Sequence, residues 1–352
     1  MTSLSARPHR LDANKVPVYY AGGTGIDRFR SSVGASGPED WVGSVTAFPP
    51  SLLPDGFDPA TGISRLAGGE SLRDAVSTDP TGWLGEQLAA AYGNEPGLLV
   101  KLLDAGERLP VHAHPTRAVA QAKLGSQFGK TEGWIIMASD PAAEIWLGFR
   151  RAVTPDELRR WIEEQDVDAM LDAMNRLPVA EGDVFYLPAT LPHSIGPGVM
   201  LTELQEPTSF SILAEYVQFG LTEEQATLGL GWDAALACFD LRSYDPAGLG
   251  NLRPHPVVVA ESRGGEISAL FPAEAEEFFQ AYRAVAAGSL ALGEPGFRVV
   301  VVERGAAELV WHGGAVDVSA GETWVVPHDA GGLTLHGDAV AILCAPPAAA
   351  AR

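Results

Sequence analysis

Glycine or proline interrupts this chain about once in every five residues, with 39 glycines and 26 prolines in 352 positions. Little of its length can therefore run as long helix, and the punctuation predicts many turns and short strands. The run GLLVKLLDA (97–105) is apolar apart from Lys101 and Asp104. At that length, periodicity does not separate a strand from a buried helix. RLPVHAHP then alternates and ends at Pro115, a residue that cannot continue an inner strand. TEGWIIMAS and EIWLGF read as two further strands joined by a turn at Asp140-Pro141.

Helical pattern is local. SLRDAV and GWLGEQLAAAYG read as short helices. In 154–177, Thr154 offers a cap, Pro155 suits the first helical position and Glu157 completes a capping box. Leu158, Ile162, Met170, Leu171 and Met174 follow at helical spacing. A second mostly helical stretch is expected over 221–240. From about residue 255 the β-pattern returns, and the tail APPAAAAR is expected to fray.

A faint internal echo links the two β-rich regions. GDVFYLPATLPHSIGPGVMLTEL and GETWVVPHDAGGLTLHGDAVAIL share a glycine, an acid, an apolar run, a proline and a returning strand. Two copies of one small barrel would produce it, which gives a mainly β chain: a double jelly roll with helical insertions at about 154–177 and 221–240. The expected division is a first domain over 1–252 and a second over 253–352, in line with a length that allows about two domains.

Composition excludes several classes. A formal charge of −21 repels phosphate backbones and anionic membranes, so neither is an expected partner. A small phosphorylated substrate would need a local basic pocket. Cys238 and Cys344 are far apart and make no disulfide framework. No apolar run approaches the ~20 residues that span a bilayer, and the first fifteen residues lack the apolar centre of a signal peptide. The expected location is the cytoplasm.

His112 and His114 stand one residue apart, and on a strand such residues share a face. Glu132 opens the next apparent strand, and His193 sits where ATLPHSIG turns back between two others. Three imidazoles and a carboxylate make an open site for Zn2+, Fe2+ or Mn2+. Histidine pairs of this spacing also arise as ordinary core residues, and the pattern alone leaves both readings open. His9, His255, His312, His328 and His336 read as surface or loop residues, and the second barrel is expected to be metal-free.

The order of LLVKLLDAGERLPVHAHP, GKTEGWIIMA and GDVFYLPATLPHSIGPGVMLTELQ resembles the type I mannose-6-phosphate isomerases, zinc enzymes of the cupin superfamily. The likeness extends to the DWVGS region and the C-terminal β-stretch. It implies a double cupin and an aldose–ketose isomerase using one zinc, converting mannose 6-phosphate to fructose 6-phosphate through an enediolate. By position it implies His112, His114, Glu132 and His193 as ligands, with His112 standing where the family usually has glutamine. Lys101 and Lys130 match lysines of the family's active site, and Glu203 matches a carboxylate placed near the substrate. Three departures stand out. Pro110 replaces a serine thought to meet the phosphate, Leu213 falls where the family carries a catalytic arginine, and YAGG replaces a tryptophan-glycine motif.

Isomerisation needs a base to move a proton between C2 and C1 and a Lewis acid for the developing oxyanion. Glu203 is the expected base. Lys101 and Lys130 are expected to orient or stabilise the substrate oxygens. Arg117 is a candidate replacement for the missing arginine and a substrate contact, with Arg150 and Arg151 as others. Trp134 and Trp146 are candidates for a sugar-stacking wall. The alternatives are an isomerase of a free sugar such as mannose or lyxose, and a non-catalytic bicupin that binds a sugar.

Overall fold

The computed structural model of the chain describes residues 3–31 and 37–348; the last four residues of the expected frayed tail lie outside these. Three antiparallel sheets carry the fold. The first has six strands, in the order Lys15–Val16, Glu39–Val42, Leu99–Ala105, Val199–Gln205, Glu132–Ser139 and Val184–Leu187. The second has five, in the order Ile212–Leu213, His112–Ala113, His193–Ile195, Glu144–Phe149 and Met174–Pro178. Leu103, Trp134, Ile136, Phe185 and Leu201 from the first pack in one core with Ile145, Leu147 and Ile195 from the second. The two sheets thus face each other as a barrel.

The third sheet has eight strands and turns around a core of its own, which includes Ile267, Ala284, Val300, Leu309, Val318, Trp324 and Leu335. Its longest strand, Arg298–Trp311, shifts register between Val302 and Arg304. One part of it pairs with Thr323–Val326 and another with Gly314–Ser319. The chain is mainly β, with two barrels.

The six-stranded sheet lies between the two cores, which settles the ambiguous run. Leu99–Ala105 is a strand buried at every position. Leu103 faces the first barrel while Val100 and Leu102 face a second core shared with Val299, Val301, Val325 and Ile342 of the large sheet. A strand covered on both faces loses the apolar–polar alternation that would have marked it. The neighbouring Glu132–Ser139 strand shows how close the covering is. A Cβ on Gly133 would lie 2.5 Å from the Phe271 ring and 2.8 Å from that of Phe279.

Several expectations need correction. The helix beginning at Pro155 has the expected cap, with Thr154 and Glu157 bonding reciprocally. It ends at Glu164, and after a second helix, Val167–Ala173, the chain becomes a strand at Met174–Pro178. Pairing with Glu144–Phe149 wins there over the helical spacing of Met174. The stretch 221–240 is helical in short pieces, Glu223–Ala226 and then Trp232–Ala235 running on into a 3-10 turn at Leu236–Cys238, with Gly229 and Gly231 at positive φ between them. His9 is neither a surface nor a loop residue. It is buried, stacks on Trp83 at 5.6 Å and lies in the strand His9–Leu11, which pairs with Thr323–Val326. Residues 9–11 therefore belong to the C-terminal sheet, on the far side of the division expected at 252. No helix of the described residues is long and apolar enough to cross a membrane.

Candidate active site

Strand register assembles the site. In the five-stranded sheet His193 lies directly opposite His112, with Leu213 beyond it. His114 follows two residues on from His112, so the three rings gather at centroid separations of 4.1–5.0 Å. One ring nitrogen of each lies within 4.8 Å of those of the other two. Each Nδ1 is 2.8 Å from a backbone carbonyl: that of Pro110 for His112, Phe210 for His114 and Leu191 for His193. Donation from Nδ1 turns the Nε2 lone pairs inward, the orientation a metal ligand needs, with Lys130 Nζ 3.4 Å from that of His114. Burial pushes all three imidazoles toward their neutral form, His114 down to about 3.

The facing sheet supplies carboxylates and cations. Glu203 lies opposite both Lys101 and Trp134 in register. Glu132 shares the inner face of its strand with Trp134. Its Oε1 is 3.0 Å from His114 Nε2 and 2.8 Å from Lys130 Nζ, and its Oε2 is 3.5 Å from His193 Nε2. Yet neither Glu132 oxygen, nor His193 Nε2, meets hydrogen-bond geometry with any partner. Burial opposes the charge of Glu132, and the ammonium of Lys130 outweighs it, so the carboxylate stays ionised. A buried anion and neutral imidazoles with inward lone pairs are what a divalent cation satisfies. The donor set fits a metal.

Beside it, one ammonium serves two carboxylates. Lys101 Nζ is 3.0 Å from Glu203 Oε2 and 3.4 Å from Glu39 Oε2. Glu39 also accepts from Tyr20 Oη at 2.5 Å and Trp41 Nε1 at 2.7 Å. Burial resists its charge, but Lys101 and these donors hold it below the usual range. Glu203 has fewer donors, a 3.3 Å bond from Trp134 Nε1 among them. Burial and the charge on Glu132 push it up to about 7. Burial also works against the ammonium of Lys101, and Glu203 and Glu39 overcome it and hold the group charged.

The space among these residues is about 60 Å³, room for about two waters. The seven expected residues His112, Lys101, Lys130, Glu132, Trp134, His193 and Glu203 line it, and His114 completes the histidine group. Arg117 does not line it. Beyond Pro115 the chain turns outward at Thr116, and the guanidinium pairs with Glu206 and Glu277 and lies over the Phe278 ring. Arg150 bonds the carbonyl of Asp172 on the surface, and Arg151 pairs with Glu157 over Trp161. Trp146 is covered by Arg176 outside the cavity. Leu213 is buried core. Sequence reasoning missed Glu39, Tyr19, Tyr20, Ser209 and Ser211, all of which line the space. Only the register of Glu39–Val42 against Leu99–Ala105 brings Glu39 in, and nothing local to it signals that.

No family model matches the chain. Over 109 residues it is 41% identical to a mannose-6-phosphate isomerase of Streptococcus mutans, covering 31% of this chain and 33% of the relative. A probable mannose-6-phosphate isomerase of Bacillus subtilis is 26% identical over 245 residues, 68% of this chain and 72% of the relative. The match to the first of these thus spans about a third of that relative's length. Among solved structures, the mannose 6-phosphate isomerase of Bacillus subtilis superposes with a TM-score of 0.75 at 20% identity, covering 96% of this chain and 99% of that one. A mannose 6-phosphate isomerase bound with zinc and yttrium superposes at 0.70 with 14% identity, covering 97% and 100%. The resemblance read from the sequence therefore holds in both respects: the chain is related in sequence to mannose-6-phosphate isomerases and has their fold along nearly its whole length.

Proposed function

We propose that this protein is a metal-dependent aldose–ketose isomerase of the mannose-6-phosphate isomerase kind, interconverting an aldose and its 2-ketose through an enediolate. One observation carries the reading. A carboxylate poised near neutral pH, Glu203, lines the same cavity as the neutral imidazoles of His112 and His193, on which His114 converges. Proton abstraction next to a carbonyl needs a base and an electrophile together, whereas a sugar-binding protein needs neither.

His112, His114, Glu132 and His193 would hold the ion, zinc being the first choice for an N₃O donor set. When bound, it supplies Lewis acidity toward the substrate's C1 and C2 oxygens. Glu203 takes the proton from one carbon and returns it to the other, and its raised pKa suits a group that must do both. Lys101 holds that carboxylate in place through the 3.0 Å contact. Lys130, beside Glu132, adds positive potential where the oxyanion develops. Trp134 orients Glu203 through its indole N–H and closes one wall against water.

Both barrels are read as cupins, with the chemistry in the chain up to about residue 252 and a scaffold role for the remainder. The partner is a small sugar or sugar phosphate, with no nucleic acid or membrane, in the cytoplasm. The test is proton NMR in D₂O on metal-loaded protein with mannose, fructose and their 6-phosphates. The expected result is interconversion with deuterium entering at C1 of the ketose formed and at C2 of the aldose. Absence of both conversion and exchange for every sugar, with metal bound, would overturn the reading.

A further inference from the structure

Lys130 is set in place by a buried carboxylate that the chemistry above does not use. Glu206 is fully buried, and three donors converge on its side chain. Its Oε1 accepts from Arg117 Nε and from the Gly129 amide at 3.3 Å, and its Oε2 accepts from the Thr131 amide at 3.0 Å. Those two amides flank Lys130. The Glu206 amide in turn bonds the Thr131 carbonyl at 3.3 Å, so Glu206 holds residue 131 by both main chain and side chain. Two more bonds close the segment. Thr208 Oγ1 donates to the Gly129 carbonyl at 2.7 Å, and the Lys130 amide bonds the Pro115 carbonyl at 3.1 Å.

This clamp fixes the backbone from which Lys130 Nζ reaches to 2.8 Å from Glu132 Oε1 and 3.4 Å from His114 Nε2. A carboxylate as buried as Glu206 is strongly unfavourable without a counter-charge, and Arg117 supplies it. Arg117 is anchored from its other side by the C-terminal half of the chain. Its Nη1 is 3.3 Å from the Glu277 carboxylate, its Nη2 donates to the Glu277 carbonyl at 3.0 Å, and its Cζ lies 4.6 Å from the centre of the Phe278 ring. A planar guanidinium serves these directions at once, which an ammonium does less well.

We propose that Arg117 and Glu206 are positioning residues: their ion pair holds residues 129–131 so that the Lys130 ammonium stands beside Glu132 and His114, and it ties that placement to the C-terminal half of the chain. The catalytic consequence rests on the isomerase reading above, whereas the placement of Lys130 does not.

Glu206→Gln tests both parts. The amide keeps the shape of the carboxylate but has one acceptor oxygen, and its NH2 must face an N–H donor on one side or the other. The first readout needs no turnover. The chain has four lysines, so protein labelled with 15N at lysine Nζ gives at most four ammonium signals, and Lys130→Met assigns one of them. Glu206→Gln is expected to shift or broaden the Lys130 signal and to leave that of Lys101 in place. An unmoved Lys130 signal, or equal movement of both, would overturn the inference. The second readout is turnover by the zinc-loaded full chain of whichever of mannose and mannose 6-phosphate the parent converts faster. Glu206→Gln is expected to lower kcat about tenfold with KM little changed, and to do far less when Lys130 is already methionine. Equal loss in both backgrounds would show a merely structural role and refute positioning through Lys130. Arg117→Met is expected to match Glu206→Gln in both readouts, and Arg117→Lys, which keeps the charge, to recover most of kcat; no difference between these two variants counts against the ion pair. If the parent converts neither sugar, the isomerase reading falls, and the lysine spectrum alone decides the placement of Lys130.

Discussion

Replacing Lys101 by methionine tests the electrostatic logic of the cavity without any metal. The ammonium lies 3.0 Å from Glu203 and 3.4 Å from Glu39, and the three side chains are 6%, 4% and 7% exposed. Methionine keeps most of the volume and the packing against Trp41, whose ring centroid is 5.5 Å from Nζ. What is lost is the ammonium within salt-bridge reach of two buried carboxylates. Breaking a buried pair by removing one partner costs ~3–5 kcal/mol, and that is the expected loss at pH 8, measured by urea unfolding.

The pH dependence follows from linkage. An unfolded glutamate ionises near pH ~4.3, while folded Glu203 holds its proton to about 7. The unfolded state therefore binds fewer protons over that interval, and Glu203 lowers stability progressively as pH rises through it. Without Lys101 both carboxylates hold protons to higher pH still, so the gap between variant and parent widens toward pH 8 and narrows toward pH 5. Adding Glu203→Gln to Lys101→Met removes one unpaired charge and should restore ~1 kcal/mol or more at pH 8, a coupling that a double-mutant cycle reads directly. A cost below ~1 kcal/mol, a flat pH dependence or strict additivity would refute the reasoning.

Other outcomes follow from the same geometry. Zinc at a thousandfold excess over its Kd should stabilise the protein by about 4 kcal/mol, and calorimetry with and without chelator checks it. His114→Ala and His193→Ala should abolish that gain, while His112→Gln keeps a ligand-competent side chain and should retain most of it. Burial pushes Glu95 up to about 7, and its Oε1 has no partner. Glu95→Gln should therefore stabilise the fold by ~2–3 kcal/mol above pH 7, with the gain vanishing below about pH 4.5. Gly133→Val should cost ~1–3 kcal/mol, read as a lowered Tm, because its side chain would meet Phe271 and Phe279 between the two cores.

The candidate metal-binding face was legible because a strand fixes the relation of residues two apart, so His112 and His114 needed no tertiary knowledge. His193 and Glu132 were legible from position alone, and register then placed them against the pair. Glu39 was invisible for the opposite reason: it enters through a strand sixty residues earlier, in an unremarkable acidic dipeptide. Arg117 misled because it follows Pro115 closely in sequence while the chain turns away between them. The helical extension to 177 failed where Met174 continued a helical spacing but Glu144–Phe149 offered an unpaired edge, and hydrogen-bonding that edge outweighs a weak local preference. His9 was misread because a three-residue strand crossing to the distant sheet has no local signature.

The internal echo separates scaffold from chemistry. GDVFYLP forms the strand Val184–Leu187, and GETWVVP forms its counterpart Thr323–Val326. After the proline the copies part. In the first, a short loop from Pro188 returns His193 to the sheet opposite His112. In the second, Pro327 leads at once into a helical turn, and His328 pairs with Asp329 at the surface. The inward positions of the second barrel carry Ala284, Ala286, Val300, Val302 and Ala341, side chains that pack but neither ligate nor titrate. Its outward face packs through Val299, Val301 and Ile342 onto Val100, Leu102, Ile135 and Leu204. Those four residues alternate with Lys101, Trp134 and Glu203 on the same strands. The second barrel thus fixes, from behind, the sheet that sets Lys101 3.0 Å from Glu203. Loosening that packing should disturb the candidate base before it disturbs the histidines, because the histidines stand on the other sheet.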